Sequence, residues 1–134
     1  MNRRAFLFAS LAALGVDKVA TSGAAQAASG LQVIYVGGWA CPPCRHWRTA
    51  YEAKWLASPE FKRVTWTEVE APRLKEAYRE RYWPGELRAV LEQLPKKSGT
   101  PRFLIVKDGR VVSNQFGGSK WLNTMADLRK LLGE

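Results

Sequence analysis

The chain has 134 residues, of which 46% are apolar and 25% charged, with a formal net charge of +9. Those proportions suit one globular core and exclude a collagen-like repeat, a charge-dominated disordered chain and a two-domain cofactor enzyme. The two cysteines, Cys41 and Cys44, close at most one very short loop, so their presence points to reactivity and not to a disulfide scaffold.

Residues 1–27 read as an export signal. Arg3 and Arg4 precede an apolar run from Ala5 to Val16, and Ala25-Gln26-Ala27 has the small-x-small form that signal peptidase accepts. A membrane-spanning helix needs about 20 apolar residues, whereas Asp17 and Lys18 end this run early. Cleavage before Ala28 is therefore predicted, leaving one domain over residues 28–134, exported to a bacterial periplasm or similar compartment, with no stable membrane anchor. Asn2-Arg3-Arg4-Ala5-Phe6-Leu7 is similar to a twin-arginine signal, without the usual hydroxyl residue before the arginines. Further along, basic residues are scattered among glutamates, as in Arg73-Leu74-Lys75-Glu76. No basic stripe with interleaved aromatics is present, so nucleic acid is not an expected partner.

Leu31 to Val36 is short, apolar and β-branched, which predicts a buried strand ended by Gly37-Gly38. A helix is expected from Pro42, with Trp47, Tyr51 and Trp55 on the core side, Arg45, Arg48, Thr49 and Glu52 opposite, and a stop at Ser58-Pro59. Val64 to Val69 predicts a second strand. Leu74, Ala77, Tyr78 and Tyr82 make one helical stripe before Pro84-Gly85, and Leu87, Val90, Leu91 and Leu94 make another before Pro95. Phe103 to Val106 and Arg110 to Phe116 read as a hairpin around Asp108-Gly109. A last helix should start at Ser119 as N-cap and carry Trp121, Met125, Leu128 and Leu132. The order predicts an α/β fold: a mixed four-stranded sheet with helices on both faces and a helical insertion between the second and third strands.

Cys41-Pro42-Pro43-Cys44 falls where the first strand hands over to a helix. Prolines fit a first helical turn, where no backbone N–H is needed. Cys41 then lies at the positive end of the helix, which favours its thiolate. On the wheel Cys44 sits beside the Trp47 stripe and Cys41 on the polar side, so Cys41 is the expected nucleophile, the more exposed sulfur, and Cys44 the resolving cysteine.

With Gly99-Thr100-Pro101 before the apolar strand, and Lys107-Asp108-Gly109-Arg110 followed by Gly117-Gly118, residues 31–134 resemble the thioredoxin family. The resemblance implies a thioredoxin-like fold, a cis Pro101 facing the disulfide, and a Thr100 backbone that pairs with an extended substrate. Three features depart from the family pattern. Ala40 stands before Cys41, with Trp39 one place earlier; Trp39 is counted with Thr100 and Pro101 as a candidate substrate contact. Tyr35 replaces the buried aspartate six residues before the first cysteine, leaving Glu68 as either a substitute carboxylate or a solvated strand-end residue. The span from Glu70 to Pro101 is longer than in a minimal thioredoxin.

The function expected is thiol-disulfide exchange with client proteins, more a protein-disulfide reductase than an oxidase, without a cofactor and recycled by a membrane redox partner. A rival use of the same pair is Cu(I) binding or metal delivery, since soft thiolates select that ion; a purely structural disulfide is a third. Zinc would need further ligands, of which His46 is the one non-carboxylate candidate, and Arg45 directly after Cys44 excludes c-type haem attachment.

Overall fold

The computed structural model describes residues 29–134, so the signal expected over residues 1–27 lies outside them. Leu31–Gly38 forms β1, which runs parallel to β2 (Thr65–Ala71) and antiparallel to β3 (Arg102–Lys107). With β4 (Arg110–Phe116) the strand order is β2-β1-β3-β4, the mixed four-stranded sheet that the element order predicts. A strand with neighbours on both sides and a core on both faces has no polar side, which explains the unbroken apolar run of β1.

Alternate residues of the central strands feed two cores. Val33, Tyr35, Phe103 and Ile105 point to one face; Ile34, Val36, Leu104 and Val106 point to the other. The first face is covered by a helix that begins as α1 (Pro42–Trp47), widens into a π turn over Arg48–Glu52 and continues as α2 (Ala53–Leu56). Beside it α4 (Trp121–Leu131) contributes Trp121, Met125 and Leu128. The second face is covered by α3 (Arg88–Glu92) and the segment before it, through Tyr78, Trp83, Leu87, Val90 and Leu91. Among the described residues no helix is long and apolar enough to cross a membrane.

Three local expectations are revised and a fourth is refined. Gly37 and Gly38 do not stop the strand but pair with Glu70 and Ala71, and at Gly37 the Tyr35 hydroxyl occupies the space that a side chain would need. The helix predicted over Leu74 to Tyr82 is instead two 3-10 turns, Leu74–Glu76 and Glu80–Tyr82, with Arg79 extended between them. An α-helix would require the Ala77 carbonyl for its own ladder; here the Trp83 indole N–H donates to it at 2.8 Å. The insertion is therefore mainly short turns with one brief helix. Ser119 does not cap the last helix: a 3-10 turn over Gly118–Lys120 comes first, and α4 starts without a side-chain cap. Finally, the β3–β4 hairpin turns through Asp108 and Gly109, both at positive φ, as Asp-Gly predicts, but its register slips between Ile105 and Val106, leaving Val112 as an unpaired, exposed bulge residue.

Candidate active site

Cys41 and Cys44 are joined as a disulfide with Cα atoms 5.2 Å apart. Cys41 is the N-cap of α1, in extended conformation, and the Cys44 N–H donates to its sulfur at 3.2 Å. Pro42 and Pro43 have no N–H, so the first donor the helix can offer is the one aimed at Cys41. When the pair is reduced, a thiolate at this sulfur gains that N–H together with the positive end of the helix. A second donor comes from across the chain: the Thr100 hydroxyl reaches the Cys41 sulfur at 3.3 Å. The Thr100–Pro101 peptide bond is cis, as the resemblance implies for Pro101.

Exposure does not separate the two cysteines, contrary to the helical-wheel expectation: they are 1% and 2% exposed. What separates them is hydrogen bonding. Both donors meet at Cys41, which leaves Cys44 the less stabilised of the two as an anion.

The loop that presents Thr100 is held from below. Arg102, only 6% exposed, donates from Nε to the Tyr78 hydroxyl at 2.7 Å, from Nη1 to Asn114 Oδ1 at 2.7 Å and from Nη2 to the Ser98 carbonyl at 2.6 Å. Tyr78 in turn donates to the Gly99 carbonyl at 2.6 Å. Burial raises the Tyr78 pKa, although the Arg102 charge opposes this; the phenol therefore stays a donor. The two carbonyls preceding Thr100 are thus both fixed, and every acceptor around this buried guanidinium is neutral. Sequence reasoning missed Arg102 and Tyr78. The available signal was a cation opening the otherwise apolar stretch Arg102-Phe103-Leu104-Ile105-Val106.

Tyr35 belongs to the same core cluster as both cysteines and stacks on Trp47 at 5.0 Å between ring centroids. Its hydroxyl is buried without a hydrogen-bond partner. Burial pushes its pKa up to about 12, against the pull of Arg48, whose guanidinium lies 4.9 Å over the ring. Tyr35 therefore neither accepts nor releases a proton near neutrality. Glu68 is a solvent-facing strand residue, paired with Arg48 at 3.2 Å, and Arg48 also binds Glu52 and Glu70. Arg48, expected on a solvated helix face, is instead half-buried beside the sheet.

Trp39 stands 68% exposed beside the disulfide, and its N–H donates to the Ala71 carbonyl at 3.2 Å. The backbone next to Cys41 is in this way tied to the end of β2. His46 is exposed on the outside of α1. Among the described residues no group of three or more His, Cys, Asp or Glu side chains could hold a metal ion.

No protein-family model and no curated protein sequence matches the chain. Solved structures do. The periplasmic thioredoxin SoxS from Paracoccus pantotrophus, in its reduced form, superposes with a TM-score of 0.55 at 15% identity, covering 77% of this chain and 96% of that one. The thioredoxin of Malassezia sympodialis gives 0.51 at 17% identity, over 76% of this chain and 77% of the other. Thioredoxin f2 of Chlamydomonas reinhardtii gives 0.50 at 18% identity, over 81% and 82%. Identities this low speak for architecture alone, and on the sheet order, the helix-start cysteine pair and these superpositions the chain has a thioredoxin-like fold.

Proposed function

We propose that the protein is an exported thiol-disulfide oxidoreductase that reduces disulfides of client proteins. The observation that carries this reading is the convergence of the Cys44 N–H and the Thr100 hydroxyl on one sulfur, that of Cys41, beside the cis Pro101. Donors aimed at a sulfur stabilise its anion, and the thiolate is the nucleophile of disulfide exchange.

In the reducing direction the Cys41 thiolate attacks one sulfur of a client disulfide. A Cys41–client bond forms, the client S–S bond breaks, and the second client cysteine leaves as a thiolate. Cys44, deprotonated, then attacks the Cys41 sulfur, re-forming the Cys41–Cys44 bond and expelling the first client cysteine. Two electrons pass from the dithiol to the client, and the two protons that Cys41 and Cys44 give up balance the two that the client thiolates take up. Tyr35, standing where the resemblance would place a buried aspartate, does not titrate near neutrality, so solvent or the departing client thiolate accepts the Cys44 proton. Trp39, exposed beside the pair, and the Thr100–Pro101 backbone are the client contacts in this reading.

Export is supported by the signal-like residues 1–27 and accords with the periplasmic thioredoxin among the structural neighbours. An exported reductase draws electrons through a membrane partner, which recycles the Cys41–Cys44 pair. The test of the reaction is insulin reduction: turnover is expected with the native protein and none with Cys41→Ser, and equal turnover by both would remove the claim. Direction is tested by the reduction potential, expected near the about −270 mV of a reductant and not near the about −120 mV of a strong oxidant.

A further inference from the structure

Immediately after β2 the chain turns back over the active-site loop. Ala40, Pro72 to Glu76 and Arg79 line an open groove of about 540 Å³. Ala40 is covalently next to Cys41, and the Trp39 N–H bond to Ala71 holds the two walls together. Leu74 lies over Gly38, where a side chain would come within 2.9 Å of Leu74 Cδ2, and Leu74 remains 42% exposed. The groove is thus apolar along its floor and opens beside the disulfide.

Its charge is one-sided. Arg73, Lys75 and Arg79 line it against a single carboxylate, Glu76. Glu76 is already engaged, accepting from the Tyr82 hydroxyl at 3.0 Å and from Arg81 at 3.1 Å, with Arg79 at 3.8 Å. Its pKa is lowered, first by the Tyr82 hydrogen bond, so it stays ionised and bound to its own neighbours. The Arg73 charge also acts on Glu76, but neither Arg73 nor Lys75 forms a close ion pair among the described residues. An extended client strand attached to Cys41 through its own cysteine, and running past Ala40, would bring its next side chains to these cations.

We infer that this groove selects client segments that carry an acidic side chain and an apolar one beside the cysteine being exchanged. The inference rests on the exchange reaction proposed above and adds the client chemistry to it. Exposed cations of this kind act mainly on encounter rate and salt dependence. Neutral disulfides remain substrates, and acidic ones are captured faster.

The experiment measures the rate at which the reduced protein cleaves three disulfide peptides that differ in having glutamate, glutamine or lysine beside an invariant leucine and cysteine, with hydroxyethyl disulfide as an uncharged reference. At low salt the glutamate peptide is expected to react on the order of tenfold faster than the lysine peptide. At 1 M salt, where the Debye length is about 3 Å, the ratio should collapse towards one. Arg73→Glu combined with Lys75→Glu should invert the ratio, and the milder Arg73→Gln with Lys75→Gln should bring it near one. Lys62→Glu is the control for net charge: Lys62 precedes the start of β2, at the opposite end of a strand roughly 20 Å long, and should leave both the ratio and the reference rate unchanged.

Equal rates for the three peptides overturn the inference. So does a ratio that Lys62→Glu moves as much as the groove substitutions, which would assign the preference to net charge. A ratio that the groove substitutions alter only by converting a dimer into a monomer also overturns it, because a second copy would then be the occupant. Failure of the exchange reading itself looks different: hydroxyethyl disulfide would not be reduced at all.

Discussion

On the disulfide side of the sheet the Tyr35 hydroxyl and the indole N–H groups of Trp47 and Trp55 are buried without a hydrogen-bond partner. On the other side the polar atoms of Tyr78, Trp83 and Arg102 are all bonded, and what Tyr78 and Arg102 bond to is the loop before Thr100. The first face joins Tyr35, Trp47, Trp55, Trp66, Phe103 and Trp121 by ring contacts of 4.9–6.4 Å between centroids. It makes a dry support under the sulfurs at the cost of three orphaned donors. The second face is largely aliphatic, and its Tyr78 and Arg102 bonds fix the loop whose Thr100 hydroxyl donates to Cys41. Support comes from one side and positioning from the other. That division has consequences that separate on measurement.

The largest effect is expected from Trp47, which touches Tyr35, Phe103 and Trp121 within 5.3 Å of ring centroids. Trp47→Ala should lower unfolding free energy by about 3–5 kcal/mol, the usual cost of emptying such a site. Urea denaturation reads this directly. A loss no greater than that of a surface substitution, about 0.5 kcal/mol, would mean that the ring contacts do not support the helix that carries the cysteines.

Arg102→Met comes next and tests positioning. It removes the donor of the buried Tyr78 hydroxyl, together with those of two part-buried acceptors, the Ser98 carbonyl and Asn114 Oδ1, which costs roughly 1–3 kcal/mol. The distinguishing outcome is kinetic: insulin reduction should slow even at temperatures where the variant is fully folded, because Thr100 is no longer held against Cys41. A stability loss with an unchanged rate would make Arg102 a purely structural residue.

Much of this arrangement is legible in the residues. The unbroken apolar run Val33-Ile34-Tyr35-Val36 marks a strand buried on both faces, and Trp47, Trp55, Trp121, Met125 and Leu128 all face the core, as their spacing predicts. The cysteine pair needs only Pro42-Pro43 and the preceding strand to be set at a helix start. Side chains that bond across the fold are where periodicity fails. The Leu74 to Tyr82 stripe is helical in pattern, yet Trp83 takes the Ala77 carbonyl, which periodicity does not register, and Tyr78 takes that of Gly99, 21 residues away. Arg48 fails in the same way, since its three carboxylates lie on the helix and on β2 together. The Thr100 hydroxyl likewise reaches the Cys41 sulfur from 59 residues along the chain.

Tyr35 offers a prediction in sign. Its pKa of about 12 lies above the ordinary 10.0, so the fold favours the neutral phenol. Its contribution is therefore complete below pH 10 and is lost as pH rises from 10 to 12. Tyr35→Phe removes an unsatisfied hydroxyl, so it should leave stability at pH 7 equal or slightly higher and flatten the alkaline fall relative to the native protein. Insulin reduction between pH 6 and 8 should not change. A parallel alkaline fall in both proteins would mean that burial does not raise its pKa, and a clear loss of exchange at neutral pH would make Tyr35 a participant in proton transfer.

The smallest effect concerns one hydrogen bond. Thr100→Val keeps the shape of the side chain and deletes the hydroxyl that lies 3.3 Å from the Cys41 sulfur. The bond is present in the oxidised protein, but a donor binds an anionic acceptor about twice as strongly as a neutral one, so its removal weakens the reduced, thiolate form more. A difference of about 0.5–1.5 kcal/mol corresponds to a Cys41 thiolate pKa higher by roughly half a unit to one unit. In the potential it appears as a shift of about 10–30 mV toward more negative values, because the disulfide becomes the relatively favoured state. Ultraviolet titration of the thiolate and equilibration with glutathione measure the two quantities independently, and both must move together. A raised pKa with an unmoved potential would place the Thr100 contribution equally in both redox states, whereas an unchanged pKa would leave the helix start as the whole origin of the thiolate.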